Sequence, residues 1–216
     1  MTILRKDICV SIGINNFDIA LEAVGECQMA ELRLDLVNFS DDQLRKIYSL
    51  NRNIIATFRT EDEQVMKQTL IKSMDFGAGY IDIDINTSVE VRTILVEYAM
   101  QKGAKVILSY HNFSETPETV FLKQTITRMF NDGADFAKVA CMANSKDDSK
   151  RVVNLYSDFS NLIAFCMGKN GQITRVVAPF LGAPFTYASL RGVKTAEGQI
   201  DAEQLEILLN MMEKSL

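Results

Sequence analysis

The sequence predicts an α/β protein folded as one (β/α)8 TIM barrel over residues 1–216, and three observations carry that prediction. Eight strand-like apolar runs alternate with helix-like stretches. No connection between them is long. Within several of the runs, charged residues alternate with aliphatic ones. Parallel strands need crossovers, which helices supply, and eight such units in 216 residues fit a compact barrel. An open doubly wound sheet is the alternative. Against it, the turn after the first run, S-I-G-I-N-N, has a single glycine and no G-x-G-x-x-G.

The elements follow in order. Residues 5–12 read as the first strand. Residues 16–27 read as a helix, with Ile19, Ala20, Ala23 and Val24 at three- and four-residue spacing. The second strand covers 29–38. Ser40 suits the N-cap of a helix over 41–50. The third strand covers 53–59, and an acidic start suits the helix over 61–76. The fourth strand is 79–85. The next helix begins at Ser88, runs to Gln101 and stops at Gly103. The fifth strand, 105–110, leads into His111. Thr116 can cap a helix with Pro117 in its first position, ending near Gly133. Residues 134–143 form the sixth strand, 147–159 a helix and 161–167 the seventh strand. A K-N-G-Q turn precedes a short helical piece at 174–178. The eighth strand is 185–189, and an amphipathic helix over 201–214 closes the chain.

Composition narrows the function classes. Hydrophobic residues make up 47% of the chain, enough for a sizeable core. A net charge of −5 offers nucleic acid no basic footprint. No stretch approaches a membrane span, and the start, M-T-I-L-R-K-D, lacks a signal-peptide apolar run. Cys9, Cys27, Cys141 and Cys166 form no C-x-x-C pair, and one histidine cannot complete a metal site with them. They read as reduced thiols of a cytoplasmic protein, with no metal expected.

The alternation carries the functional signal. Strand side chains alternate with period two. Leu32, Leu34 and Leu36 oppose Glu31, Arg33 and Asp35; Ile81, Ile83 and Ile85 oppose Asp82 and Asp84. Thr57 shares a face with Arg59, and Ser109 with His111. Helices cover the outside of a barrel, so the charged faces are expected to point inward, toward a site at the C-terminal ends of the strands. Interior charges need pairing, and a polar ligand is a reason to carry them. Lys138 stands in the middle of A-D-F-A-K-V-A-C-M-A. Burial disfavours its ammonium form, and a neutral amine attacks carbonyl carbons, making it a Schiff-base candidate. A lysine paired with a carboxylate, or reaching out to water, is the plainer alternative. His111 at the same mouth could move protons for that chemistry.

These residues resemble type I 3-dehydroquinate dehydratase, the Schiff-base enzyme family of the shikimate pathway. The motifs are E-L-R-L-D (31–35), T-F-R-T-E-D-E (57–63), Y-I-D-I-D (80–84), S-Y-H-N-F (109–113), F-A-K-V-A (136–140), T-R (174–175) and A-E-G-Q (196–199). Each is short, but their joint order and spacing span nearly the whole chain. The resemblance implies that Lys138 forms an imine at the substrate's C3 ketone. It implies that His111 is the general acid/base, oriented by Glu63. Glu31, Arg33 and Arg59 then hold substrate hydroxyls, Arg175 and Gln199 hold its carboxylate, Met167 packs on the ring, and Thr195 supplies a loop hydroxyl. It also implies no cofactor, the small-molecule substrate 3-dehydroquinate and a homodimer. The chain departs from the commoner pattern at Asn112, Thr195, Glu197 and Tyr187, where aspartate, serine, proline and phenylalanine are usual. A class I Schiff-base aldolase, with G-K-N-G-Q (168–172) as a phosphate loop, and a silent barrel that senses a carboxylate metabolite are the rival readings. The stretch 191–199 is expected to be a mobile lid over the barrel mouth.

Overall fold

The computed structural model describes residues 5, 7–51, 53–193, 195 and 197–215. Eight parallel strands form a nearly closed barrel: β1 (Ile8–Ile12), β2 (Met29–Arg33), β3 (Ile54–Thr57), β4 (Tyr80–Asp84), β5 (Lys105–Asn112), β6 (Phe136–Met142), β7 (Leu162–Met167) and β8 (Thr186–Ser189). They hydrogen-bond in the order β7-β6-β5-β4-β3-β2-β1-β8. Around them lie α1 (Phe17–Gly25), α2 (Asp41–Leu50), α3 (Glu63–Asp75), α4 (Val89–Lys102), α5 (Thr119–Asn131), α6 (Lys146–Val153), α7 (Gln172–Val177) and α8 (Ala202–Glu213). Residue 6 of the expected first strand and residues 194 and 196 of the expected lid lie outside the described residues.

Local chemistry sets the helix ends. Ser40 caps α2 in a full capping box with Gln43. Asn16 caps α1 by accepting from the Ile19 amide. Gly103 closes α4 in the left-handed conformation, at φ 69°.

Three expectations need correction. The second strand stops at Arg33 rather than running to residue 38. Its partner β3 ends at Thr57, so the chain turns, with the Leu36 amide on the Arg33 carbonyl, and Leu36 is left largely exposed. Thr116 does not cap the fifth helix. Its hydroxyl donates to the Met142 carbonyl at 2.7 Å, tying the loop to β6, and Glu118 takes the N-cap position. The sixth helix ends at Val153 and tightens into a 3-10 turn at Asn154–Ser157. That turn sets the Tyr156 hydroxyl against β7, where it donates to the Ala164 carbonyl and accepts from the Ala164 amide, both at 2.8 Å.

The strands' two faces pack differently. Their outward side chains and the helices' inner faces form one continuous apolar core. Inside, Cys9, Met29, Ile55, Ile107, Phe136 and Phe185 belong to a smaller apolar cluster that plugs the barrel. The interior charges lie on the same inward faces, toward the strands' C-terminal ends.

Candidate active site

Lys138 sits at mid-strand in β6, 4% exposed. Its Nζ lies 2.8 Å from Asp82 Oδ2 and 3.5 Å from Glu31 Oε1, and 4.1 Å from the centroid of the Tyr187 ring. The two carboxylates are hydrogen-bonded in turn. Ser11 Oγ donates to Glu31 Oε2 at 2.6 Å and Thr57 Oγ1 to Oε1 at 3.0 Å. Ser109 Oγ donates to Asp82 Oδ1 at 2.6 Å, and the Arg59 guanidinium pairs with the same oxygen. Burial works to raise the pKa of Asp82, but Arg59 and Lys138 outweigh it and hold the group well below the usual carboxylate range. Glu31 is lowered as well, with Lys138 overcoming its burial.

One layer up, Nδ1 of His111 faces Oδ2 of Asp84 at 3.6 Å, and the imidazole stacks at 6.1 Å on Phe113. Burial lowers the pKa of His111 below 6.5. The Asp84 contact pulls it up, while Arg59 and Lys138 push it down. Arg33 pairs with Asp35 at the rim, at 2.7 Å.

A cavity of about 290 Å³ opens over this cluster. Its lining includes every sequence-predicted site residue except Glu63. Lys138, His111, Glu31, Arg33 and Arg59 line it. Met167, Arg175, Thr195 and Gln199 line the same cavity. Glu63 opens α3 instead, and its carboxylate accepts from the Ser88 amide at 2.7 Å and from the Ser88 hydroxyl. The carboxylate on the histidine is therefore Asp84, a correction to the expected pairing: Glu63 at the N-terminus of α3 reaches the N-cap of α4, not the mouth.

Arg175 in α7 is fully buried and faces the cavity. Among the described residues it pairs with no carboxylate. Nη1 donates to the Tyr187 carbonyl at 3.3 Å, the guanidinium stacks on Phe165 at 4.1 Å, and Nε and Nη2 lack partners. Burial pushes its pKa down to about 10. Such a cation calls for an anion that no described residue provides.

Sequence reasoning missed Ser11 as a support for Glu31. Its only signal was parity, two residues after inward-facing Cys9. The G-K-N-G-Q stretch has a packing role: a Cβ at Gly171 would come within 2.6 Å of the Cys166 carbonyl carbon. All four cysteines are free and buried, and the described residues include no group of acidic, histidine or cysteine side chains that could hold a metal. No described helix is long and apolar enough to cross a membrane.

Comparison with known proteins gives a consistent answer. The family model described as type I 3-dehydroquinase matches residues 8–215. A protein named 3-dehydroquinate dehydratase from Pyrococcus abyssi is 34% identical over 191 residues, covering 84% of this chain and 86% of its own. One of the same name from Methanococcus maripaludis is 33% identical over 225 residues, covering 97% of each. Among solved structures, the 3-dehydroquinate dehydratase of Aquifex aeolicus superimposes with a TM-score of 0.81 at 26% identity, over 94% of this chain and 97% of that one. The type I enzyme of Clostridium difficile gives 0.87 at 23% identity, over 100% and 95%, a likeness of fold.

Proposed function

This chain belongs to the type I 3-dehydroquinase family, and from that premise we infer that it is a 3-dehydroquinate dehydratase. It is a hydro-lyase of the shikimate pathway, taking water from 3-dehydroquinate to give 3-dehydroshikimate. The chemistry runs through an imine on Lys138. The observation that carries this reading is a pair of buried cations facing one cavity, Lys138 bound to carboxylates and Arg175 with none among the described residues. The substrate's carboxylate supplies the anion that Arg175 lacks, with Gln199 and Thr195 beside it. That contact orients the ring ketone toward Lys138, and Met167 packs on the ring.

Once Lys138 Nζ has shed its proton it attacks the C3 carbonyl. The protonated imine that results draws electrons from C2 more strongly than the ketone does, so the C2 proton becomes easier to remove. His111, kept neutral by its burial, takes that proton and returns one to the departing C1 hydroxyl. Asp84 orients its ring. Glu31, Arg33 and Arg59 hold the remaining hydroxyls. The lysine supplies the electrophilic activation, so the reaction asks for no cofactor. The reading extends to a cytoplasmic homodimer with one barrel domain per chain, supported by thiol usage and by the family.

The test couples turnover, followed by the enone absorbance of the product, with borohydride reduction and peptide mapping. The expected result is turnover of 3-dehydroquinate and a stable adduct on Lys138, both lost in Lys138→Ala. An adduct on another lysine, or cleavage of a carbon–carbon bond instead of dehydration, would refute it.

A further inference from the structure

Hydroxyls in and under the cavity are nearly all committed. Of those on its lining, Thr57 donates to Glu31 at 3.0 Å and Thr195 to Ser11 at 2.9 Å. Beneath them, Ser11 and Ser109 each donate to a carboxylate at 2.6 Å. The exception is Tyr187 in β8. Its side chain lines the cavity and is buried, yet its phenol oxygen makes no hydrogen bond to any described residue. A buried O–H left unpaired costs stability, so its retention asks for a partner that arrives from outside.

The position of the ring says where that partner comes. The Tyr187 ring lies 4.1 Å from Lys138 Nζ and is wedged between Phe165, at 5.6 Å, and Phe185, at 5.8 Å. A carbon bonded to Nζ, and the oxygen on that carbon, come within reach of this side chain. The other groups there are poorly suited to hold such an oxygen. Glu31 and Asp82, as carboxylates, only accept. Arg59 Nη1 and Nη2 are engaged by Asp82 and Ser109, and Arg33 Nε and Nη2 by Asp35, which leaves their remaining N–H groups for the substrate's hydroxyls. Burial, and then the charge of Glu31, hold the phenol pKa far above 10, so the group stays a neutral donor.

Resting on the Schiff-base reading above, we propose that Tyr187 is a further substrate-positioning residue. Its phenol donates a hydrogen bond to the oxygen on the carbon that Lys138 attacks, first the ketone oxygen and then the hydroxyl of the carbinolamine. The step balances without a proton from Tyr187. Nζ forms the bond to carbon, the C–O bond breaks, and the oxygen leaves as water with one proton from Nζ and one from His111, which took that proton from the Lys138 ammonium and is neutral again for the C2 proton. The phenol draws the ketone into line with the amine and stabilises the growing charge on the departing oxygen.

The experiment compares full-length wild type with Tyr187→Phe, which keeps the ring and removes only the hydroxyl. Three quantities are read: ligand-free melting temperature, kcat/KM with 3-dehydroquinate, and the rate at which borohydride-trappable adduct forms on Lys138. The variant is expected to melt no lower than wild type, because an unpaired buried group has gone. Its kcat/KM and its adduct formation should both fall by about three- to tenfold. Unchanged kinetics in the variant, beside normal trapping in wild type, overturn the proposal alone. A lower ligand-free melting temperature also overturns it, since the hydroxyl would then be partnered before substrate arrives. No Lys138 adduct in wild type would overturn the Schiff-base reading and this proposal with it.

Discussion

Among the described residues Arg175 is the largest side chain to be completely hidden, and its guanidinium faces a cavity rather than a carboxylate. A lone buried cation destabilises the free protein, and an apolar replacement of similar size is often neutral or stabilising. Arg175→Met trades that cost against the lost hydrogen bond to the Tyr187 carbonyl, so its melting temperature should change little while its KM rises about ten- to a hundredfold, the worth of a charged hydrogen-bonded contact. Unfolding of the variant would instead make Arg175 a structural residue. The histidine offers a second test at this scale. With its folded pKa below 6.5, His111 stays neutral down to pH values at which a free histidine would be protonated, so the acid limb of kcat/KM should lie below pH 6.5. Asp84 is the contact that pulls this pKa upward, so Asp84→Asn should move the limb lower still, while Glu63→Gln should leave it in place. The reverse pattern would show that Glu63 rather than Asp84 partners the histidine in the free enzyme. Period-two alternation made Lys138, His111 and Asp84 legible as inward-facing groups. It could not say which carboxylate reaches the imidazole, because that depends on loop paths after β3 and β4. Arg175, on a short helix after β7, had no periodic signal, and only the family resemblance pointed to it.

Strands and helices were legible as elements because each repeats one period for several residues. Their ends were less so, because tertiary contacts decide them. Thr116 has the chemistry of a cap, but the Met142 carbonyl takes its hydroxyl. Alternation continues past Arg33, but β3 gives it nothing to pair with. The stretch after β8 is where element and function meet. In this structure its described residues lie against the mouth: Thr195 Oγ1 donates to Ser11 Oγ, and the Thr195 amide donates to Gln199 Oε1 at 2.8 Å. Gly198 holds the crossing, with φ at 76° and its backbone so close to Gly168 that a Cβ would lie 2.7 Å from the Gly168 nitrogen. Gly198→Ala combines strain at positive φ with a backbone clash. It should lift the segment off, raising KM severalfold with little change in melting temperature, because loops carry little of the core. Amide exchange at residues 191–199 reports the motion directly. It should slow when the imine is trapped in wild type, and slow less in the variant. Equal exchange in free and trapped wild type would leave the segment no role as a lid.

At the scale of the whole molecule, the barrel has a seam, and side chains serve its edges. The strand order runs from β7 to β8. On β7, Tyr156 serves the Ala164 amide and carbonyl, and Thr174 accepts from the Cys166 amide at 2.8 Å. On β8, Arg175 serves the Tyr187 carbonyl. Backbone groups that a closed ladder would pair are thus met by side chains. The interior is layered to match, with an apolar plug below and an ion cluster above it. That cluster makes stability depend on pH through Lys138. Glu31 and Asp82 have folded pKa values below their unfolded ones, so the stability they confer is present above about pH 4 and is lost as pH falls through their folded values. Lys138→Met removes the cation both carboxylates face. Near pH 7 it should cost about 3–5 kcal/mol, the usual result of breaking a buried pair. It also brings the folded pKa values of Glu31 and Asp82 back up, so the variant has less to lose in acid. The gap between variant and wild type, read from urea unfolding at a series of pH values, should therefore narrow below about pH 4. A gap that stays constant with pH would mean that Arg59 and the hydroxyls of Ser11, Thr57 and Ser109 keep the carboxylates ionised without the lysine. In that case Lys138 could take part in an imine without loosening the barrel around it.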